Sequence, residues 1–238
     1  MIIIKRNPYS SYLLVFLFCG VIVPTLLAGC VSHGTRKATT YRQGDISGLQ
    51  KIAVTPFQAI IPGDPAAKVS RCPISGATFR TCEFPGNPEK KIEEIFVNRL
   101  NLSGRYTVIP PQEVEGVYKR VFTDFPKDSP LKILTTVGEK TGADGVIAGH
   151  LFYYRDRKGF DYSVEEPASV VFCVHLIRVK DGVPVWKGIF DKTQSSLMEN
   201  IFDLFPFIRG GGKWMTADEL SQEGIEEIVK DFPGLKGN

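Results

Sequence analysis

Five cysteines and three histidines hold most of the reactive chemistry of this 238-residue chain. Cys72 and Cys82, with nine residues between them, sit in a stretch rich in Pro, Gly and Ala. In an oxidising compartment such a pair forms a disulfide. It would close a loop of about ten residues and contribute ~2–3 kcal/mol if unstrained. The alternative is two unpaired thiols. The C-x-x-C spacing of a redox motif is absent. Cys173 and His175 lie two apart on one strand face, and a metal site there would need two more ligands. His150 is the only other histidine beyond His33. The expectation is therefore a buried core cysteine beside a hydrogen-bonded histidine, with no metal and no cofactor.

Other chemical motifs are weak. Gly210-Gly211-Gly212-Lys213 has the glycines of a phosphate loop, but Trp214 stands where the hydroxyl residue belongs. A G-x-S-x-G nucleophile elbow is missing. Glu165 and Glu166 are adjacent, so on a strand they point to opposite faces and read as a solvated segment, not an acid/base dyad. No catalytic residue is assigned, and the chain is not expected to be an enzyme.

The N-terminus is more informative. Lys5 and Arg6 precede a nearly continuous apolar run from Tyr12 to Leu27, which ends in Ala28-Gly29-Cys30. A positive start, an apolar run and small residues at its end are the signature of a secretory signal peptide. The tetrad Leu27-Ala28-Gly29-Cys30 resembles the bacterial lipobox, in which a diacylglycerol is attached to the cysteine and cleavage leaves that cysteine first. The alternative is an uncleaved membrane anchor, for which about sixteen apolar residues are slightly short. The resemblance makes Cys30 the lipidation site, with acyl chains such as palmitate as the anchor. Stable attachment needs more than one chain, each buried CH₂ contributing ~0.8 kcal/mol. Val31, not Asp, follows the cysteine. By the same resemblance this points to the inner leaflet of the outer membrane, with the domain in the periplasm.

Removing Lys5 and Arg6 with the leader leaves 27 basic residues (29 − 2) against 26 acidic ones. A nearly neutral chain gives no reason to expect a nucleic-acid partner. The organisation expected is a signal peptide over 1–29, a lipidated cysteine and flexible tether over 30–49, and one domain over 50–238. Some 20 tether residues could extend ~70 Å at most.

Lys51 to Phe57 reads as a strand ended by Pro56, and Gln58 to Gly86 as a long loop. Asn87-Pro88 caps a helix with Ile92, Ile95, Phe96 and Leu100 on one side and Gly104 as its stop. A strand over Arg105–Pro110 follows, then a helix from Pro111 to Val121. Ser129-Pro130 opens another helix, with Leu131, Leu134 and Val137 on one face and Gly142 at its end. Gly145 to Tyr154 is a strand. Ser169 to Val179 is apolar on both parities and reads as a central strand. Asp181-Gly182 turns it into a partner over Val183–Asp191. Leu197 to Phe205 reads as a short helix. Thr216 and Glu219 form a capping box for a last helix whose core face carries Leu220, Ile225, Ile228, Val229 and Phe232. The class expected is α/β (α+β), a mixed sheet of about five strands ending in an antiparallel meander, with helices packed on it.

Several phrases carry a family likeness: KIAVTPF, the helix ending LSGRYTVIP, TGADGVIAG, and VKDGVPVW with Trp186. Over residues 50 to 192 the chain resembles the periplasmic α/β lipoprotein group that includes the TolB N-terminal-like domain, the curli-secretion lipoprotein CsgG and the synthase activator LpoB. The resemblance implies a scaffold, pore subunit or activator without catalysis of its own. Two departures matter. No extra amphipathic hairpin is present to line a pore, and the tether is far shorter than the arm of the synthase activators. No binding residue transfers by position.

One apolar segment remains. Phe202, Phe205, Phe207 and Ile208 are followed by Arg209 and three glycines. The segment reads either as core packing by a short helix and loop, or as an apolar surface for a partner or lipid. The expected function is a membrane-anchored periplasmic scaffold or adaptor for envelope protein assembly, with other envelope proteins as partners and self-association left open. The alternatives are an envelope-directed hydrolase and a subunit of an oligomeric export complex.

Overall fold

The computed structural model describes residues 38–44, 46, 48–64, 66–160, 163–194 and 214–235, all within the compact unit Thr35–Asn238. Strand β2 (Lys51–Val54) runs parallel to β6 (Thr107–Ile109) on one side and β7 (Gly145–Arg155) on the other. On the far side of β7, β10 (Ser169–Arg178) is antiparallel to β7 and to β11 (Pro184–Thr193). The result is the expected mixed sheet with an antiparallel meander. It has seven strands where about five were read, because two short ones join it. Strand β1 (Thr39–Arg42) pairs with β11 from inside the expected tether. Strand β3 (Gln58–Ala59) pairs with β7.

Strands β2 and β3 follow one path along β7, broken at Pro56 and Phe57. Thr55 still donates to Ile147 O from both its amide and its hydroxyl, at 2.9 and 3.0 Å. Pro56 has no N–H to continue the ladder. The Phe57 ring lies on Gly149, where an added Cβ would come within 2.4 Å of it. The Phe57 amide is turned out of the sheet and donates to the buried Glu93 carboxylate at 2.6 Å.

Strand parity divides the core. On one face Ile52, Val54, Ile147, Phe172 and Leu176 meet helices α1 (Pro88–Leu102) and α4 (Ala217–Val229) through Ile92, Phe96, Leu100, Leu220, Ile225 and Ile228. Trp186 and Phe232 join them edge to face, with ring centroids 4.8 Å apart. On the other face Ala53, Val146, Ala148 and Ile177 meet helices α2 (Pro111–Asp124) and α3 (Pro130–Thr141). The helix signals act as read, with one exception. The Ser129 side chain accepts from Lys132 N, Gly142 closes α3 in a left-handed conformation with φ 62°, and Thr216 and Glu219 form the reciprocal capping box. Asn87, read as a cap, makes no side-chain capping bond.

Helices α2 and α3 cover only part of their face. The rest is covered by the hairpin of β4 (Val69–Arg71) and β5 (Thr78–Arg80), inside what reads as a structureless loop. Cys72 and Phe79 of this hairpin pack on Phe152, Val171 and Cys173. A second hairpin, β8 (Lys158–Phe160) with β9 (Ser163–Glu166), leaves Phe160 82% exposed. Among the described residues no helix is long and apolar enough to cross a membrane.

Candidate functional site

The seam between the β4–β5 hairpin and the α2–α3 layer is where reactive side chains gather. Cys173 and His175 are two apart on β10, so both point to this face. The register places His150 of β7 directly opposite Cys173, and Ala148 opposite His175. The small Ala148 leaves room for an imidazole beside it. Cys72, at the end of β4, enters from above.

A tight turn aims the Cys72 sulfur. Cys72 N donates to Ala77 O at 2.8 Å, and Gly76 N to Cys72 O at 2.9 Å. Gly76 takes the positive φ of 68° that the turn requires. The Ser75 amide donates to Cys72 Sγ at 3.5 Å. That sulfur then lies 3.6 Å from Cys173 Sγ and 3.9 Å from His175 Nε2, while Cys173 Sγ is 3.8 Å from His175 Nδ1.

All four side chains are buried, and their ligand atoms lie within 4.8 Å of one another. The environment separates the protonation states. The Cys72 thiol is held well below the ordinary thiol range, first by its hydrogen bond with Cys173 and then by His175, against the opposing effect of burial. Burial, followed by Cys72, pushes Cys173 well above that range. Burial pushes His150 down to about 4, so its imidazole is neutral at physiological pH. Its Nδ1 is buried and has no hydrogen-bond partner among the described residues. His150 also forms part of the wall of a small cavity of about 190 Å³, with Pro73, Ile74, Tyr118 and Phe122.

This geometry corrects one expectation and extends another. Cys72 and Cys82 are not bridged, and both are free thiols. The hairpin turns Cys72 inward to Cys173, whereas Cys82 Sγ lies 3.9 Å from Tyr154 O. Cys173 and His175 are buried and hydrogen-bonded, as expected, and two further side chains of ligand type stand beside them. Each of the two missing ligand types is supplied, by His150 through strand register and by Cys72 through the hairpin. The 173–175 spacing was the visible signal. The sequence shows neither the β7–β10 register nor the direction in which Cys72 faces. The lipidation residue Cys30 and the apolar residues Phe202, Phe205, Phe207 and Ile208 lie outside the described residues, as does the helix read over Leu197–Phe205.

No protein-family model matches this sequence, and no curated protein matches it. Several solved structures are similar to this chain. The PelC dodecamer from Paraburkholderia phytofirmans is similar at 15% identity, over 84% of this chain and 99% of that chain, with a TM-score of 0.45. A lipoprotein from Neisseria meningitidis is similar at 15% identity, over 68% of this chain and 99% of that chain, with a TM-score of 0.37. The LpoB C-terminal domain from Escherichia coli is similar at 15% identity, over 63% of this chain and 88% of that chain, with a TM-score of 0.36. So distant a similarity bears on neither partner nor chemistry.

Proposed function

We propose that this chain is a lipid-anchored, non-catalytic envelope protein that binds other envelope proteins close to its own membrane. The observation that carries the reading is the position of β1. Its first residue, Thr39, stands nine positions after Cys30 (39 − 30). Nine residues extend ~30 Å at most, less than half of what a tether reaching to residue 49 would span. Lipid on Cys30 therefore keeps the edge of the sheet near the bilayer surface.

Strand β1 is also the terminal strand of the sheet order, beyond β11. Its outward backbone groups are the kind of edge that accepts a partner's strand. Neither a phosphate loop nor a nucleophile elbow occurs in the sequence to suggest a reaction instead.

The test places a photo-crosslinking amino acid at Tyr41, an exposed β1 position, in cells fed labelled fatty acid. The expected result is label on the wild type and crosslinks to envelope proteins, with both lost in Cys30→Ala. Wild-type labelling of Cys30→Ala, or an unchanged crosslinking pattern, would overturn the proposal.

A further inference from the structure

We propose that Cys72, His150, Cys173 and His175 form a four-coordinate site for a thiophilic d¹⁰ metal ion, zinc(II), which fastens the β4–β5 hairpin to the sheet. The inference goes beyond the anchoring role and does not depend on it. The donor set comes first. Two thiols and two imidazoles are the composition of structural zinc sites, and such a set in tetrahedral array selects zinc over harder cations.

Distances come next. With Zn–S of ~2.3 Å and Zn–N of ~2.0 Å, the edges of the ligand tetrahedron are ~3.3–3.8 Å. The two sulfurs are already 3.6 Å apart, and His175, which would bind through one ring nitrogen, brings Nε2 within 3.9 Å of Cys72 Sγ or Nδ1 within 3.8 Å of Cys173 Sγ. The widest separation in the quartet is within 4.8 Å, so closing it to the edges of that tetrahedron takes an approach of at most ~1.5 Å, shared between two side chains.

The surroundings are those of a site and not of ordinary core. His150 is 5% exposed, and its Nδ1 has no partner among the described residues. A buried polar atom left unpaired costs ~1–3 kcal/mol, and a metal bond removes that cost. The Ser75 amide on Cys72 Sγ is the outer contact that holds a thiolate ligand in place. The small cavity beside His150 reaches one of the four ligands. The ligands are far apart in the chain, Cys72 and Cys173 by 101 residues. One ion therefore ties a surface hairpin to two central strands, and binding couples to folding.

The competing chemistry is a Cys72–Cys173 disulfide, which the 3.6 Å sulfur separation would allow after a modest approach. The experiment uses the full chain purified in detergent. It combines elemental analysis, intact mass under denaturing conditions without reductant, and reconstitution with cobalt(II). The expected result is one zinc per chain and a fully reduced mass. After exchange, the cobalt form should show thiolate-to-cobalt charge transfer in the near-ultraviolet and the intense visible bands of a tetrahedral ion. Cys72→Ala, at the hairpin end, should keep the circular dichroism of the sheet and lose the charge-transfer band by half or more. Should that variant fail to fold, His150→Gln gives the same readout through the visible bands. Chelation should lower the melting temperature of the wild type. A mass lower by two hydrogens with Cys72 and Cys173 joined, copper recovered in place of zinc, or a cobalt spectrum unchanged in both variants would overturn the proposal.

Discussion

Asp144 and Lys51 hold each other twice: Lys51 N–H donates to the Asp144 carboxylate at 2.8 Å, and Asp144 N–H donates to Lys51 O at 2.8 Å. The same carboxylate oxygen also accepts from Gln50 N at 3.1 Å. A residue of the TGADG phrase, just before β7, thereby sets where β2 begins alongside it. Asp144→Ala removes both side-chain bonds, and a bond to a charged group contributes ~1.5–3 kcal/mol at most. Because Asp144 is exposed, a loss of about 1–2 kcal/mol is expected. Chemical denaturation of the variant beside Asp144→Asn checks it. If the two variants match the wild type, the carboxylate does not set the strand start.

Glu93 is a buried carboxylate that accepts from the Phe57 amide at 2.6 Å. Burial raises its pKa above the ordinary carboxylate value, against the opposing effect of the Phe57 N–H. An acid with a raised folded-state pKa binds more protons folded than unfolded. Stability then falls as pH rises from the ordinary value through the raised one. Glu93→Gln keeps an acceptor for Phe57 and cannot ionise. It should melt above the wild type at neutral pH, with the gain shrinking as pH falls into the range where Glu93 is protonated. A gain that does not change with pH would contradict this account.

Gly149 makes space for Phe57. An added Cβ would sit 2.4 Å from the ring, so Gly149→Ala must displace Phe57 or β7. Overpacking of this kind costs ~1–3 kcal/mol. Gly149 also precedes His150, so the same variant should weaken cobalt binding. Urea titration and the cobalt spectrum of Gly149→Ala test both, and retained stability with a wild-type spectrum would show that Phe57 moves aside freely.

Cys82 should be the first of the described cysteines to react. It is half-buried, whereas Cys72 and Cys173 are fully buried. Burial raises the Cys82 thiol, so its alkylation should be slow at neutral pH and should accelerate as pH rises. Peptide mapping of native protein after iodoacetamide should find label on Cys82 alone. A crosslinked peptide joining Cys72 to Cys82 would contradict the observed geometry.

The local code was legible in the sequence for physical reasons that are themselves local. Gly142 ends α3 because it takes the left-handed conformation there. Thr216 and Glu219 satisfy each other's backbone within one turn. The double-sided apolar run from Ser169 could lie only at the centre of a sheet, and Ile92, Phe96 and Leu100 marked one face of α1 by period alone. The short strands carry no local signal because their partners are remote in the chain. The sequence TTYR at Thr39–Arg42 is polar and unremarkable, and is a strand only because β11 offers it an edge. The hairpin across Val69–Arg80 has half of its residues exposed and packs where the α2–α3 layer leaves part of the sheet open.

The sequence by itself determined the order of the described helices and long strands, and the sharing of one face by Cys173 and His175, because each depends on residues adjacent in the chain or a fixed few apart. Only the tertiary structure decided which side chains meet. Register across β7 and β10 sets His150 against Cys173, and the turn at Gly76 aims Cys72 inward, away from Cys82. Those contacts join residues up to 103 positions apart. They depend on strand pairing and layer packing, which no local spacing encodes.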